Sequence, residues 1–115
     1  MKVFTAQEVA LVVFKAQRAA EKAALKYFNE VLHGRDQYAC GFAYATIYNV
    51  KGSTKLGRAL LANGFRKAYG GGLQFWMPGR TNVQNVDVHE AGARAFAQVI
   101  KDELEVDCYA GSHLD

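Results

Sequence analysis

The stretch Ala39-Cys40-Gly41-Phe42-Ala43-Tyr44-Ala45-Thr46-Ile47-Tyr48 carries the reading of the fold. Bulky and small side chains alternate along it with a period of two, the spacing that sends successive residues to opposite faces of a strand. Phe42, Tyr44, Thr46 and Tyr48 fall on one face, and Gly41, Ala43, Ala45 and Ile47 on the other. The small face predicts a helix lying close against it, and a broad aromatic face then looks the other way.

Upstream, Thr5 and Glu8 stand at capping-box spacing, with Phe4 and Val9 placed as a hydrophobic staple. No proline or glycine interrupts residues 6–33, and Gly34 supplies a stop, so one long helix is expected. Such a helix is a rod of about 42 Å, longer than the ~34 Å diameter of a compact domain of this size. It carries two apolar stripes. Val9, Val13, Ala16, Ala20, Ala23, Tyr27 and Val31 form one, and Leu11, Phe14, Leu25, Phe28 and Leu32 are displaced around the axis. A surface helix needs only one stripe, so the second is either clasped by the same domain or meets another subunit.

Downstream, Gly52 and Ser53 open a short helix through Leu56, Ala59, Leu60 and Leu61 that stops at Asn63-Gly64. Residues 73–77 read as a short strand, entered through Gly70-Gly71-Gly72 and closed by Pro78-Gly79. The triple glycine is a flexible hinge or a close backbone contact. Asp87 and Glu90 repeat the capping-box spacing and open a third helix running to about Leu104, and residues 106–110 read as the last strand. The expected class is α+β: a long N-terminal helix, then a small three-stranded sheet, antiparallel or mixed, with two further helices. Residues 1–115 are expected to form a single domain.

Composition narrows the function classes. Half of the residues are hydrophobic and only 22% are charged, which excludes a disordered chain. The longest apolar stretches, residues 9–14 and 39–47, fall far short of the roughly 20 residues a membrane span needs. The opening Met1-Lys2-Val3-Phe4-Thr5 lacks the charged start and apolar block of an export signal. A cytoplasmic location with reduced thiols at Cys40 and Cys108 is therefore expected. The net charge of +3 is mild, but residues 51–80 carry Lys51, Lys55, Arg58, Arg66, Lys67 and Arg80 with no acid among them.

Three candidate sites follow. The turn Lys51-Gly52-Ser53-Thr54-Lys55, with Arg58 beyond it, leaves a strand and enters a helix, where backbone N–H groups, hydroxyls and lysines can converge on a small anion. It lacks the glycine spacing of a nucleotide-binding P-loop, and Thr54 or Ser53 serving only as a helix cap is the plainer reading. Trp76 follows the mobile glycines and precedes Arg80, so both could wall the same pocket. Separately, Gly41-Phe42-Ala43-Tyr44 coincides with the centre of the aromatic strand motif with which RNA-recognition sheets stack bases, and Tyr48 extends that face. Cys40 and Ile47 depart from the motif, and the expected element order does not fit the βαββαβ plan. Stacking on single-stranded nucleic acid is thus the alternative to a core or subunit-contact face. Cys108 with His89 or His113 can be written as a nucleophilic pair, a second alternative that would make the protein a small enzyme. The cysteine and histidine spacings form no metal signature, and no cofactor is implied.

The ordered set Ala39-Cys40-Gly41-Phe42-Ala43, Thr54-Lys55-Leu56-Gly57, Gly64-Phe65-Arg66-Lys67, Gly71-Gly72-Leu73 with Trp76 and Pro78, and Glu90-Ala91-Gly92-Ala93-Arg94-Ala95-Phe96-Ala97 resembles small uncharacterised proteins of tailed bacteriophages and marine viruses. The ending Tyr109-Ala110-Gly111-Ser112-His113-Leu114-Asp115 is similar to theirs too. The likeness covers residues 38–115. It implies a viral accessory protein acting in the host cytoplasm and carries no established activity or catalytic residues. The leading expectation is therefore a non-enzymatic, homo-oligomeric accessory protein that self-associates through its first helix and binds a host protein or a small anionic ligand.

Overall fold

The computed structural model describes residues 3–115 as α1 (Ala6–Glu30), β1 (Gly41–Ile47), α2 (Lys55–Ala62), β2 (Arg66–Lys67), β3 (Leu73–Trp76), α3 (Val86–Leu104) and β4 (Cys108–Leu114). The class is α+β, as the periodicities predict. The capping box of α1 forms: Thr5 Oγ1 accepts from the Glu8 N–H at 3.0 Å, and the Glu8 carboxylate accepts from the Thr5 N–H at 2.8 Å. The helix ends at Glu30, short of the expected residue 33. His33 and Gly34 already turn into the left-handed region, and the Gly34 N–H closes the end on the Phe28 carbonyl at 2.9 Å.

The sheet has four strands in the order β2-β3-β1-β4, every neighbouring pair antiparallel. The expected three-stranded sheet is corrected by β2, whose two residues pair Arg66 with Gln74 and Lys67 with Leu73. So short, charged and exposed a strand has no hydrophobic period to reveal it. Gly70, Gly71 and Gly72 all take positive φ (93°, 114° and 85°) and turn β2 back into β3. A Cβ on Gly72 would sit 2.7 Å from the Ile47 carbonyl oxygen, so the triple glycine is both a tight turn and a close backbone contact.

With β2 in place the topology changes meaning. Strands β1 and β2 are each antiparallel to β3 and so run parallel to one another with β3 between them. Strands β3 and β4 do the same around β1. After α1, the order β1-α2-β2-β3-α3-β4 is thus a pair of interleaved split β-α-β units. The expectation that the chain does not follow a βαββαβ plan is overturned.

Two other boundaries move. Asn85, not Asp87, caps α3, its Oδ1 accepting from the Asp87 and Val88 N–H groups at 2.8 and 3.0 Å. Glu90 instead accepts from the Ser112 hydroxyl at 2.7 Å and pairs with Arg94. Strand β4 runs over 108–114, because Glu105 turns into the left-handed region and residues 108–114 then pair with the whole length of β1.

The helices lie on one side of the sheet. Ala43, Ala45 and Ile47 of β1 are fully buried, and a Cβ on Gly41 would meet Val86 Cγ2 at 2.8 Å, so α3 rests directly on the small face. Phe96 of α3 meets Phe75 and Phe65 at centroid distances of 4.5 and 5.8 Å. Helix α1 packs on α3 through Val9, Val13, Ala16, Ala20 and Ala24. Its approach is close: a Cβ on Gly92 would lie 3.2 Å from the Ala20 carbonyl oxygen and 3.0 Å from the Gly79 Cα. Lys15 and Glu103 add an ion pair across this contact. Of the second α1 stripe, Leu32 is buried and Phe28 half-buried, while Leu11, Phe14 and Leu25 are exposed. Among the described residues no helix is long and apolar enough to cross a membrane.

Candidate functional site

Among the described residues no helix lies over the other side of the sheet. Strand alternation and the observed register place Phe42, Tyr44 and Thr46 of β1, Gln74 and Trp76 of β3, Arg66 of β2, and Tyr109, Gly111 and His113 of β4 on this open face. None of these positions is acidic.

Four rings form its centre. Tyr44 lies directly opposite Trp76 and stacks on it, with centroids 5.5 Å apart and planes 7° apart. Phe42 meets Trp76 at 4.8 Å and His113, its partner on β4, at 5.6 Å. The Tyr44 hydroxyl and His113 Nε2 share a hydrogen bond of 2.7 Å. Gly111 makes this possible. It stands opposite Tyr44, and a Cβ there would come within 2.7 Å of the ring, so the missing side chain lets Tyr44 lie across β4 toward His113. Trp76 remains 38% exposed and His113 is exposed, so the cluster is a surface and not a core.

Cationic and polar groups border the rings. The Arg66 guanidinium lies 5.9 Å from the Trp76 centroid, and Gln74 donates to the Thr46 hydroxyl at 3.3 Å. Toward the other end, Tyr48 and Tyr109 meet at 6.3 Å, with the Lys101 ammonium 5.3 Å from the Tyr109 ring. The acid-free residues 51–80 supply α2, β2 and β3, so the β2 edge of the face is its basic side. No ion pair among the described residues uses Lys51, Lys55, Arg58, Arg66 or Lys67.

The residues proposed for anion binding are dispersed. Thr54 caps α2, accepting from the Gly57 N–H at 3.0 Å and donating to the Lys51 carbonyl at 2.7 Å, so its hydroxyl is engaged in the turn. Ser53 is exposed and Gly52 packs toward Leu61 and Lys67. Thr54 and Lys55 line a groove of about 690 Å³ whose other walls include Val3, Phe4, Leu56, Leu104, Glu105 and Val106, mostly apolar with one acid. Arg80 borders a different groove, beside α1, and Trp76 belongs to the open sheet face. Lys55, Trp76 and Arg80 therefore do not share one pocket.

The Cys–His pair is not assembled either. Cys108 faces the helices and is 3% exposed, whereas His113 lies on the opposite side of the same strand. Burial pushes the Cys108 thiol up to about 12, the reverse of an activated nucleophile. His89 is buried in the first half of α3, where desolvation lowers its pKa, and its Nδ1 has no hydrogen-bond partner among the described residues. No cluster of three or more potential metal-ligating side chains occurs among the described residues.

No family model, curated protein or solved structure matches the chain. Sequence reading placed Phe42, Tyr44 and Tyr48 on one face, but gave Trp76, Arg66 and His113 other roles and did not join them, or Tyr109, to these rings. The period-two spacing Tyr109-x-Gly111-x-His113 was the signal that could have found the β4 members.

Proposed function

We propose that this protein binds single-stranded nucleic acid on the open face of its sheet. The observation that carries the reading is the group Phe42, Tyr44, Trp76 and His113 on three adjacent strands, partly exposed and uncovered by any helix. Stacked or tilted rings about one strand spacing apart offer π-surfaces to two or three unpaired bases, and every base has a complementary face. Arg66 on the face, with Lys67 next to it on the edge strand and Lys101 beside Tyr109, supplies charge for the phosphates, and the absence of acids from the face removes the main repulsive term. Fold topology alone would not support the reading, since the same strand order serves many purposes. The setting we attach to it is that of a viral accessory protein in a host cell. The alternative of a small anionic ligand has less support, because Lys55, Trp76 and Arg80 lie on separate surfaces.

Trp76 is the only tryptophan, so its fluorescence reports the face directly. Titration with single-stranded DNA and RNA oligonucleotides is expected to quench it. Trp76→Ala and Phe42→Ala, followed with a labelled oligonucleotide, should each weaken binding about 5- to 150-fold, the equivalent of ~1–3 kcal/mol per stacked base. With about three phosphate contacts, log K should fall against log salt with a slope near −2. Absence of quenching, or binding indifferent to both salt and the ring deletions, would refute the proposal.

A further inference from the structure

The exposed side of α1 carries residues whose order is self-complementary about its midpoint. Leu11 and Phe28, Phe14 and Leu25, and Arg18 and Glu21 are three pairs, each centred between Ala19 and Ala20. At 100° per residue all six fall within a stripe about 100° wide, turned away from the buried Val9, Val13, Ala16, Ala20 and Ala24. Leu11, Phe14 and Leu25 are 63%, 64% and 61% exposed, an unusual exposure for three large apolar side chains on one helix face. Leu25 and half-buried Phe28 also border a groove of about 370 Å³ completed by residues 79–82.

We propose that two copies of this protein associate through α1, antiparallel, about a two-fold axis passing between Ala19 and Ala20. In that arrangement the residues of each pair stand at the same height on opposing helices. Phe14 of one copy meets the partner's Leu25 at the mouth of the groove, and Leu11 meets the partner's Phe28. Arg18 faces the partner's Glu21, so the polar centre of the stripe is matched in charge. The three pairings form an apolar row about 26 Å long with ion pairs at its middle. A parallel pairing would instead set Arg18 against Arg18 and Glu21 against Glu21. Matching of both apolar and charged residues under one rotation is the property of an isologous surface, which makes a second copy of this chain the occupant. The helix layer carries this surface, so both aromatic sheet faces stay open and the inference is independent of the nucleic-acid reading.

Sedimentation velocity across about 1–100 μM protein tests it, because a dimer populates by mass action over that range. The wild-type protein is expected to dimerise. Phe14→Asp should yield a monomer with unchanged far-UV circular dichroism, since Phe14 is 64% exposed in its own fold, and with a melting temperature that no longer depends on protein concentration. Arg18→Glu alone should weaken the dimer about tenfold, placing like charges at both symmetric contacts, and Arg18→Glu with Glu21→Arg should restore it to within about threefold. A wild-type monomer, or a dimer that survives Phe14→Asp, would overturn the interface. A dimer lost on Phe14→Asp but not rescued by the charge exchange would overturn the antiparallel register.

Discussion

Gly111→Ala tests whether the aromatic face is a preassembled unit. A Cβ at that position would lie 2.7 Å from Tyr44 Cε2 and 3.1 Å from its Cζ, so the ring must swing off β4. Its hydrogen bond to His113, worth about 0.5–1.5 kcal/mol net, and its stacking on Trp76, of similar size, are then lost. Both lie at the surface, so the lower halves of these ranges apply. Alanine returns about 0.5–1 kcal/mol, because glycine in a strand gives up more backbone freedom on folding. The net cost is about 0–1.5 kcal/mol in the wild-type background. In a Tyr44→Ala background nothing opposes the new methyl, and the same substitution should stabilise by about 0.5–1 kcal/mol. Urea denaturation of the four proteins of this double-mutant cycle measures the difference as a coupling energy of about 1–2 kcal/mol. Equal destabilisation in both backgrounds would show that Gly111 is required for some reason other than the Tyr44 ring.

Acid sensitivity follows from His89, whose folded pKa lies below 6.5 because burial disfavours its charge. As pH falls below about 6.5 the unfolded chain takes up that proton first, so thermal stability should drop from there until the lowered folded pKa is passed, and His89→Leu should flatten this part of the profile. A mild alkylating reagent should label exposed Cys40 in the folded protein and reach Cys108 only on unfolding, as mass spectrometry of the intact chain would register. Gly92→Val should cost about 1–3 kcal/mol by forcing α1 and the Gly79 turn away from α3, visible as a lowered melting temperature.

The parts of the fold that were legible in the sequence are those where one residue pattern repeats. The alternation of β1, with its small face for a helix and its aromatic face outward, is read directly from residues 41–48, and the capping box and buried stripe fix α1. What escaped was set by pairing rather than by periodicity. Arg66 and Lys67 form a strand only because Gln74 and Leu73 lie beside them, and without that strand the split topology is invisible. Trp76 reads as the wall of a pocket with Arg80 until the register sets it against Tyr44. Residues 111–113 look like a polar, glycine-containing tail, yet they pair with β1 because Tyr44 fills the space above Gly111. The basic residues 51–58 suggested convergence on an anion, but the Thr54 cap directs the turn's own donors inward.

The contact between α1 and α3 has a consequence for how the chain is made. Lys15 and its partner Glu103 are 88 positions apart, and the close packing of Ala20 against Gly92 spans nearly as much chain. At ~5–20 residues per second, a ribosome leaves α1 waiting on the order of 4–18 s for the helix that covers it. During that interval the stripe of α1 that α3 covers stays open, so this helix is made well before the element that shields it. Slower synthesis should then lengthen that exposure and raise the demand for chaperone cover.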